Sequence, residues 1–496
     1  MGRNALGSNR PAMNRRKRLV RPIVVIVAFH LLLYISYSRH VTLLAWVDRT
    51  PDFLASTIQD NSDNAPARPS PVGNDISPHT PLRAPPDVFN DGKKEDKDID
   101  GPISSSLSPL RVGNSTLLAD SPRYIAAIMD PSNTNLSRLS CPPPASGRYD
   151  YLRQSVAGSI NPSWKPKYFF ALNLRQCVDI LPSLIGSIVE TIRFLGPYNC
   201  VLSIVEGLSD DGTYEVLKQI HNEMELLGVK YYFDSSEINT KSGGDERRIA
   251  LLAELRNLAL RPLLESPHLY DPDTTVFFIN DVSLCMEDIL ELLHQRVRQH
   301  ADMTCAMDWI VDGTQFYDVW VSRTMQGHQF FEVPQSITWE FSKNLFWNDP
   351  KTRARYEARL PFQVWSCWNG ATSFTAKPLL EGKVRFRSHY PGECLMGEPT
   401  HFCKDFWHHG YGKIAVVPSV NVGYSDEQSA AVKRLQRYTA ENVLGEPKEN
   451  LPTMIDWQAK PPDLIKCVQS YFDYQHPTWV KFDEGLEPPD PSLTKS

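Results

Sequence analysis

The feature that most constrains the fold is an alternation of short apolar runs with longer segments of helical periodicity, which begins near residue 167. Residues 167–172, 200–205 and 275–279 have the length and composition of buried strands. Over residues 178–192, apolar side chains recur every three or four positions, which predicts a helix. Because strands that alternate with helices form a mostly parallel sheet covered on both faces, we predict an α/β fold.

Composition narrows the class of protein. Hydrophobic residues make up 41% of the 496 residues, enough for a large core, so a wholly disordered chain is excluded. The net charge is −6, although the first 21 residues carry seven Lys or Arg and no acid. The rest of the chain is therefore acidic, and nucleic acid is not an expected partner.

The nine cysteines are scattered and include no C-x-x-C pair, which argues against a structural zinc site. In an oxidising compartment they allow up to four disulfides, and the sequence leaves their pairing open.

The N-terminal segment predicts membrane attachment. A basic tail, residues 1–21, precedes an apolar stretch, residues 22–47, which Arg39 and His40 interrupt. A positive flank before such a stretch predicts a signal-anchor helix with a cytosolic N-terminus. We therefore expect a single-pass type II membrane protein. A signal peptide cleaved near residue 38 is the alternative.

The next segment, residues 48–145, is expected to be a flexible luminal stem, because it includes eight prolines within residues 51–100 and few apolar runs. Residues 146–496 would then form the globular domain, with a proline-rich C-terminal tail. Two N-x-S/T sequons, at Asn114 and Asn135, suit a luminal location and predict N-glycosylation.

An acidic turn follows the second predicted strand. In open α/β sheets, ligands bind outside the carboxyl ends of the strands. Carboxylates there can accept hydrogen bonds from a base or a ribose, and a following helix N-terminus attracts phosphate. The nucleotide-binding candidates are Glu206, Ser209, Asp210 and Asp211. Ordinary capping of the next helix by the same side chains is the alternative.

A second polar turn follows the most hydrophobic strand, at Asn280 and Asp281. A carboxylate in this position suits a divalent cation that bridges a diphosphate, and hard oxygen ligands favour Mg²⁺ or Mn²⁺. The helix before that strand carries Arg248, Arg256 and Asn257, and guanidinium groups suit phosphate recognition. A solvated helix face is the alternative for these three residues.

Two further segments combine aromatic rings with amides and a carboxylate. The rings of a sugar pack on aromatic faces while the hydroxyls require polar partners, so such segments suit a sugar site. Aromatic side chains in the core beside a tight turn are the alternative. The candidates are Asp308, Trp309, Trp365, Trp368, Asn369 and Gly370.

Residues 389–412 are rich in ionisable side chains. Glu398, His401 and Asp405 are spaced by three and four residues, so one helical face can carry all three, with Glu393 just before them. These side chains could supply another metal ligand or position a hydroxyl group. A zinc site and a plain surface helix are the alternatives, although HEXXH is absent.

Six segments, taken in this order, resemble the fungal capsule-associated α-1,3-mannosyltransferases, the cryptococcal mannosyltransferases of glycosyltransferase family 69. They cover about residues 168–427 and read FFALNLRQCVDILPSLIGSIVETIRFLGPYNCVLSIVEGLSDDGTYEVL, RIALLAELRNLALRPL, VFFINDVSLCMEDILELL, CAMDW, FQVWSCWNGAT and GECLMGEPTHFCKDFWHHGYGKIAVVPSVNVGYSDE. The anchor and stem also match a type II Golgi enzyme.

This resemblance implies a GT-A-like nucleotide-sugar-binding fold, a GDP-mannose donor, dependence on Mn²⁺ (or Mg²⁺) and transfer to a mannose-containing glycan acceptor. It also implies a Golgi membrane location with a luminal domain, and a role in capsule or cell-wall glycan synthesis.

The resemblance also assigns roles by position. Glu206, Asp210 and Asp211 would lie by the nucleotide, and Asp281 would be the metal-binding acid of the D-x-D element. That element reads Ile279-Asn280-Asp281 here and lacks its first acid, so His401 or Glu398 become candidates for a second metal ligand. Asp308 and the turn Trp368-Asn369-Gly370 would face a sugar.

An α-linked donor and an α-linked product imply retention of configuration, for which the resemblance assigns no catalytic base. An inverting enzyme would instead use Glu393, Glu398 or Asp405. The missing acid motivates an alternative, an inactive relative that acts as an assembly partner in glycan synthesis. A luminal glycosidase with a carboxylate pair is a third hypothesis.

Overall fold

The computed structural model describes residues 107–108, 111–153, 165–241, 244–332, 342–444, 451–469 and 477–486. All of them belong to one compact unit, residues 96–496. The predicted cytosolic tail, the predicted membrane span and the first half of the predicted stem lie outside the described residues. Among the helices that the structure describes, none has both the length and the apolar character needed to cross a membrane.

A mixed sheet of eleven strands forms the centre of the described domain, in the order β1-β4-β3-β2-β5-β10-β6-β11-β9-β8, with β7 paired to β6. A separate two-stranded sheet pairs β12 with β13. The strands are β1 (Leu107–Ser108), β2 (Tyr168–Leu174), β3 (Cys200–Glu206), β4 (Lys230–Ser236), β5 (Thr275–Ile279), β6 (Met303–Ile310), β7 (Gln315–Phe316), β8 (Arg323–Thr324), β9 (Phe362–Ser366), β10 (Ala371–Thr375), β11 (Ile414–Val422), β12 (Leu464–Cys467) and β13 (Thr478–Lys481).

The direction of the strands confirms the expectation of a mostly parallel sheet. β4, β3, β2 and β5 pair in parallel, as do β6 and β11. β10 is antiparallel to both β5 and β6, so those two strands also run in the same direction. The six strands β2–β6 and β11 therefore place their carboxyl ends at one edge of the sheet.

Helices cover both faces of the sheet. They are α1 (Ser115–Met129), α2 (Leu181–Leu195), α3 (Thr213–Gln219), α4 (His221–Leu227), α5 (Asp245–Ala259), α6 (Arg261–Glu265), α7 (Met286–Arg298), α8 (Pro350–Glu357), α9 (Lys377–Leu380), α10 (Glu398–His408), α11 (Asp426–Gln436) and α12 (Thr439–Leu444). Side chains of α2 and α7 pack in one core with Phe170, and those of α5 and α10 pack in the other with Phe169. Neighbouring residues of β2 enter opposite cores because side chains alternate across a strand.

The stem prediction is wrong for its last part, residues 111–145. Helix α1 packs against α2 and α3 and buries Ala127 and Ile128, so this segment is part of the domain. A disulfide between Cys141 and Cys285 ties the following residues to the start of α7. Fifteen prolines are spread through residues 48–145, and a composition average over the whole segment hides the amphipathic helix Ser115–Met129, which holds only Pro122.

Six of the nine cysteines form three disulfides, one fewer than the four that nine cysteines allow. Besides the first pair, Cys305 is bonded to Cys367 and Cys394 to Cys467. The remaining three, Cys177, Cys200 and Cys403, are buried thiols.

Candidate active site

The candidate site lies at the edge where the six parallel strands end. β3 ends at Glu206, β5 is followed by Asn280 and Asp281, and β6 ends just after Asp308. The turn between β9 and β10 meets this edge, because the Asn280 amide donates to the carbonyl oxygen of Gly370 at 2.9 Å. Ligands of open α/β sheets bind at such an edge.

The acidic turn after β3 is occupied by internal hydrogen bonds. Glu206 is fully buried and accepts hydrogen bonds from the Ser209 amide and, at 3.1 Å, from the Ser235 hydroxyl. Asp211 accepts from the amides of Val178 at 3.0 Å and Thr213 at 2.9 Å. These carboxylates accept from backbone amides of the neighbouring loops and of the first residue of α3, whereas the N-cap of α3 is Gly212 and, within the described ranges, involves no side-chain hydrogen bond.

The same turn is fastened to the connection between β2 and α2. The Gln176 amide donates to Ser209 Oγ at 2.9 Å. The Gln176 side chain donates to Asp210 Oδ1 at 2.6 Å and accepts from the Asp210 amide at 2.8 Å. Asp210 is exposed and Asp211 is half-buried, so these two of the four predicted residues are the ones that a ligand in solution can reach. Glu206 and Ser209 are buried and shape the edge.

The Asp281 carboxylate is the least committed acid at this edge. It is half-buried, and its hydrogen bond partner is its own backbone amide. Among the described residues it has no ion-pair partner within 4 Å. Burial raises the pKa of Asp281, and its own amide and the charge of Arg256 partly offset that rise. Because its charge is not neutralised by a protein cation in the described part of the chain, the ionised form of this acid would be stabilised by a cation that binds together with a ligand.

Arg256 lies on α5 beneath Asp281 and is held in one orientation. Its Nε donates to Glu398 Oε1 at 2.7 Å. Its guanidinium lies 4.5 Å from the ring centroid of Trp368 and 5.1 Å from that of Phe278. Stacking and one charge-assisted bond fix the plane of the guanidinium, which leaves its two terminal nitrogens to bind an anion.

The other two candidates on α5 differ in their contacts. Asn257 donates to the Phe386 carbonyl at 2.8 Å and accepts from the Phe386 amide at 3.0 Å, so it anchors a neighbouring segment rather than a ligand. Arg248 is half-buried, and its Nη1 donates to the Thr240 carbonyl at 3.2 Å. Burial lowers the pKa of Arg248, whereas the charge of Glu398 raises it, which places these two groups close to each other.

The tryptophans predicted to stack on a sugar lie in the core instead. Trp309, Trp365 and Trp368 are 2%, 0% and 2% exposed. The Trp309 indole donates to Asn421 Oδ1 at 2.8 Å, and the Trp368 indole donates to Asn280 Oδ1 at 3.1 Å. Their large apolar area is worth more buried between sheet and helix than exposed, so the core alternative is correct for these rings.

The turn at Asn369 and Gly370 is a rigid element rather than a sugar ligand. Both residues have positive φ, 55° and 77°. Asn369 is fully buried; its side chain donates to the Ala306 carbonyl at 2.8 Å and accepts from the Ser322 hydroxyl at 2.7 Å. A Cβ on Gly370 would lie 3.0 Å from Val282 Cγ1, so this position requires glycine.

A buried carboxyl pair next to this turn joins a predicted residue with one that the sequence analysis missed. Asp308 Oδ2 accepts from the Tyr424 hydroxyl at 2.6 Å, and Asp308 Oδ1 accepts from the Asp318 amide at 3.2 Å. Asp318 Oδ2 accepts from the Asn369 amide at 2.8 Å. Burial and the charge of Asp318 raise the pKa of Asp308 well above its usual value, and burial raises that of Asp318 to about 6.

The three acids proposed as bases for an inverting reaction are all held by cations. Arg387 contacts both Glu393, at 2.6 Å, and Asp405, at 2.7 Å, and Lys404 Nζ lies 2.6 Å from Glu393 Oε1. Despite burial, these bonds lower the pKa of Glu393 to about 2. A carboxylate of such low basicity is a poor general base, so we reassign Glu393 to a structural ion pair. Asp405 is reassigned on its contacts, because both of its carboxylate oxygens accept hydrogen bonds from Arg387.

His401 lies beside this ion-pair cluster. Its ring is fully buried, and its Nδ1 lies 3.8 Å from Glu393 Oε2. Burial lowers the pKa of His401 to about 3, so the ring is neutral at physiological pH. No described contact joins His401 to Asp281. Glu398, one turn earlier on α10, contacts Arg256 and therefore lies on the side of the helix that faces the candidate site.

One further polar group at this edge escaped the sequence analysis. Asn173, near the end of β2, donates to the Leu255 carbonyl at 2.8 Å, and its Oδ1 is buried without a hydrogen bond partner in the structure. A lone Asn in an apolar strand has no motif, and only the three-dimensional neighbours reveal its orphaned acceptor.

Comparisons with known proteins identify the family of the chain. The model of the family described as cryptococcal mannosyltransferase 1 matches residues 167–405. The α-1,3-mannosyltransferase CMT1 of Cryptococcus neoformans is 36% identical over 336 residues, which cover 64% of this chain and 70% of that protein. The chain belongs to the cryptococcal mannosyltransferase family. Membership makes it a hexosyltransferase and confirms the resemblance seen in the sequence.

Two solved structures are also similar. TarS of Staphylococcus aureus, residues 1–349, has 13% identity and a TM-score of 0.32, over 58% of this chain and 67% of that one. The mannosyltransferase PcManGT of Pyrobaculum calidifontis, in complex with GDP-Man and Mn²⁺, has 12% identity and a TM-score of 0.31, over 62% of this chain and 68% of that one.

The metal-binding side chains at this site fit a cation that takes one ligand from the protein and the others from substrate phosphates and water. Among the described residues, no three His, Cys, Asp or Glu side chains converge on one point. Mg²⁺ and Mn²⁺ do not require such a cage, since one or two carboxylates combined with substrate phosphates and water suffice for Mg²⁺-type sites. Asp281, with its uncommitted carboxylate, meets that requirement as a single protein ligand.

Proposed function

We propose that the protein transfers mannose from GDP-mannose to an α-mannoside acceptor, in an α-1,3 linkage and with retention of configuration. Family membership supports the mannosyl transfer. The observation that carries the site assignment is the Asp281 carboxylate, which has no ion-pair partner among the described residues and lies in the field of Arg256. One acid and one fixed cation at a strand edge suit a diphosphate with its divalent metal. In this proposal the fold is the GT-A-like nucleotide-sugar fold.

In the proposed mechanism, Asp281 is the residue that would hold Mn²⁺ or Mg²⁺. Such an ion supplies charge neutralisation to the departing diphosphate. Arg256 contributes a second positive charge to the same leaving group, and Glu398 keeps the guanidinium plane fixed so that no reorganisation is needed during the reaction. The buried turn at Asn369 and Gly370 fixes the position of Asn280, since the Gly370 carbonyl accepts a hydrogen bond from the Asn280 amide.

The cellular setting is part of the same proposal. We infer a single-pass type II protein of the Golgi membrane, with the domain in the lumen, that acts in capsule or cell-wall glycan synthesis. The basic tail and apolar stretch of residues 1–47 support the anchor. The three disulfides support an oxidising compartment.

The test is transfer by the purified full-length chain. The protein is incubated with Mn²⁺, α-mannobiose and a panel of nucleotide sugars, and products are identified by mass. We expect one hexose to be added from GDP-mannose alone, and EDTA to abolish the reaction. Asp281→Asn should reduce turnover by about 100-fold or more, because it removes the charged metal ligand.

Asp273→Asn is the matched control, since Asp273 is an exposed acid near the amino end of the same strand, β5, and should leave turnover unchanged. Failure of the folded wild-type protein to transfer from any donor, together with failure to bind GDP in the presence of metal, would refute the proposal. It would favour the inactive assembly partner.

A further inference from the structure

The buried carboxyl pair of Asp308 and Asp318 has a feature that the proposed metal and diphosphate contacts do not use. Asp308 is 1% exposed and closed in by Tyr424, whereas Asp318 is half-buried, on the segment that follows β7. The more accessible member of the pair, Asp318, is bonded to the turn that meets the edge after β5, since the Asn369 amide donates to it and the Gly370 carbonyl accepts from Asn280.

The Asp318 carboxylate keeps capacity for a ligand. Backbone amides of Asn369 and Val321 donate to it. An ionised carboxylate offers about four acceptor positions, so two amides orient it without filling it. Asp308 helps to position Asp318, because Asp308 Oδ1 accepts a hydrogen bond from the Asp318 backbone amide. An oriented acid with spare acceptor positions suits the hydroxyl groups of a sugar.

The location of the pair indicates which part of the substrate it meets. β6, which carries Asp308, lies two strand positions from β5, with β10 between them. At a spacing of about 4.8 Å per strand, the end of β6 lies about 10 Å from the end of β5 along the edge of the sheet. The turn at Asn369 and Gly370 connects the two places, because the Asn369 amide donates to Asp318 and the Gly370 carbonyl accepts from the Asn280 amide. The charge of Arg256 offsets part of the rise in the pKa of both Asp281 and Asp318, so it acts on both. Asp318 therefore lies beside the proposed metal and diphosphate contacts, on the side where an acceptor sugar would follow the donor sugar.

We propose that Asp318 is the residue that binds the acceptor mannoside, accepting hydrogen bonds from its hydroxyl groups, and that Asp308 and Tyr424 position it. This inference rests on the proposed function and adds the acceptor subsite to it. The sugar hydroxyls act as donors to the carboxylate, so Asp318 must be ionised to bind well.

The ionisation of Asp318 gives the proposal a pH signature. Burial raises the pKa of Asp318 to about 6. The titratable or charged groups that face Asp318 come from five places in the fold. They are Asp308 on β6, Tyr317 next to Asp318 in the sequence, Tyr424 after β11, Arg256 on α5 and Glu398 on α10. Below pH 6 the carboxyl is neutral and donates instead of accepting, so kcat/KM for the acceptor should fall on the acid side.

The experiment compares Asp318→Asn with the wild-type full-length chain. Asparagine retains an oxygen for the Asn369 amide, so the turn can keep its hydrogen bond. We expect kcat/KM for α-mannobiose to fall about 10- to 100-fold, the range for a charge-assisted hydrogen bond. The GDP dissociation constant in the presence of Mn²⁺ should stay unchanged, and the acid limb near pH 6 should disappear.

Two further variants keep the result interpretable. Asp312→Asn, on the exposed turn between β6 and β7, should match wild type in every readout. Asp318→Glu moves the carboxylate by one methylene and should raise the acceptor KM while it retains an acid limb, so it decides the question if Asp318→Asn does not fold.

Each contrary outcome has its own meaning. Wild-type protein that fails to transfer or to bind GDP defeats the proposed function itself. Active wild-type protein with an Asp318→Asn variant that keeps its acceptor kcat/KM, or that loses GDP affinity to the same extent, defeats the acceptor assignment.

Discussion

Replacing Glu393 by glutamine separates a structural acid from a catalytic one. Glu393 is 8% exposed and accepts bonds from Arg387 at 2.6 Å, from Lys404 at 2.6 Å and from the Tyr390 amide at 2.6 Å. Glutamine fills the same volume but carries no charge. We expect the variant to lose stability and to retain turnover per folded molecule.

The magnitude follows from the ionisation of this group. The cations lower the pKa of Glu393 from 4.5 to about 2. That difference corresponds to about 3 kcal/mol of folding free energy at neutral pH. It agrees with the 3–5 kcal/mol that is roughly typical for breaking a buried ion pair from one side. Arg387 retains Asp405, which keeps the loss near the lower value.

The assay is urea denaturation of wild type and Glu393→Gln across pH 3–8. Since the folded pKa lies below the unfolded one, the carboxylate stabilises the fold fully above about pH 5. This contribution disappears as the pH falls through 4.5 toward 2. The two proteins should therefore differ by about 3 kcal/mol at pH 7 and by roughly half as much at pH 3, because the folded pKa of about 2 lies below the range of the assay.

Glu357→Gln is the matched control, because Glu357 forms an exposed pair with Arg353 at 3.1 Å and should change stability by less than about 1 kcal/mol. A Glu393→Gln variant with wild-type stability and abolished turnover would show that the acid acts in catalysis. Our structural assignment would then be wrong.

Three other substitutions test further parts of the structure. Arg256→Lys retains one charge but loses the stacked fork that contacts Glu398, and we expect kcat for mannosyl transfer to fall by about 100-fold. Because Glu398 is buried, the variant should also melt at a lower temperature, so kcat is measured per folded molecule. When the protein is expressed in a fungal host, Asn114→Gln and Asn135→Gln should each remove one N-linked glycan. Each variant should then be lighter than wild type by the mass of one glycan, and this difference should disappear after enzymatic deglycosylation. Both asparagines are exposed, and Asn114 caps α1 through Oδ1, so its Nδ2 stays available for a glycan.

The sequence predicted the first half of the sheet because its strands are continuous apolar runs. Residues 167–172, 200–205 and 275–279 fall on β2, β3 and β5, and residues 178–192 overlap α2. β10 was not predicted, since its residues, ATSFT, are too polar and too short to signal a strand. Its antiparallel insertion between β5 and β6 depends on long-range pairing that no local period records.

Aromatic composition was a poor guide to the sugar site for a related reason. The residue types that bind sugars are also those that fill a core, and periodicity does not separate the two uses. Trp365 and Trp368 flank a disulfide-linked strand end and are enclosed by α10. Asp318 lacked any motif, because its partners Asp308 and Asn369 come from β6 and from a turn 51 residues later.

Glu206 and Asp281 show why the sequence locates acids at strand ends but does not tell which of them is free to bind a ligand. Both follow buried parallel strands, and sequence alone treats them as equals. After Glu206 the chain folds back, so that the Ser209 amide reaches its carboxylate, and the Ser235 hydroxyl reaches it from the neighbouring strand β4. After Asp281 the chain leaves the edge, and the Val282 amide bonds the Asn280 carbonyl instead. Because loop direction decides which carboxylate stays unsatisfied, binding capacity concentrates at Asp281, where a cation and a diphosphate can supply the missing partners.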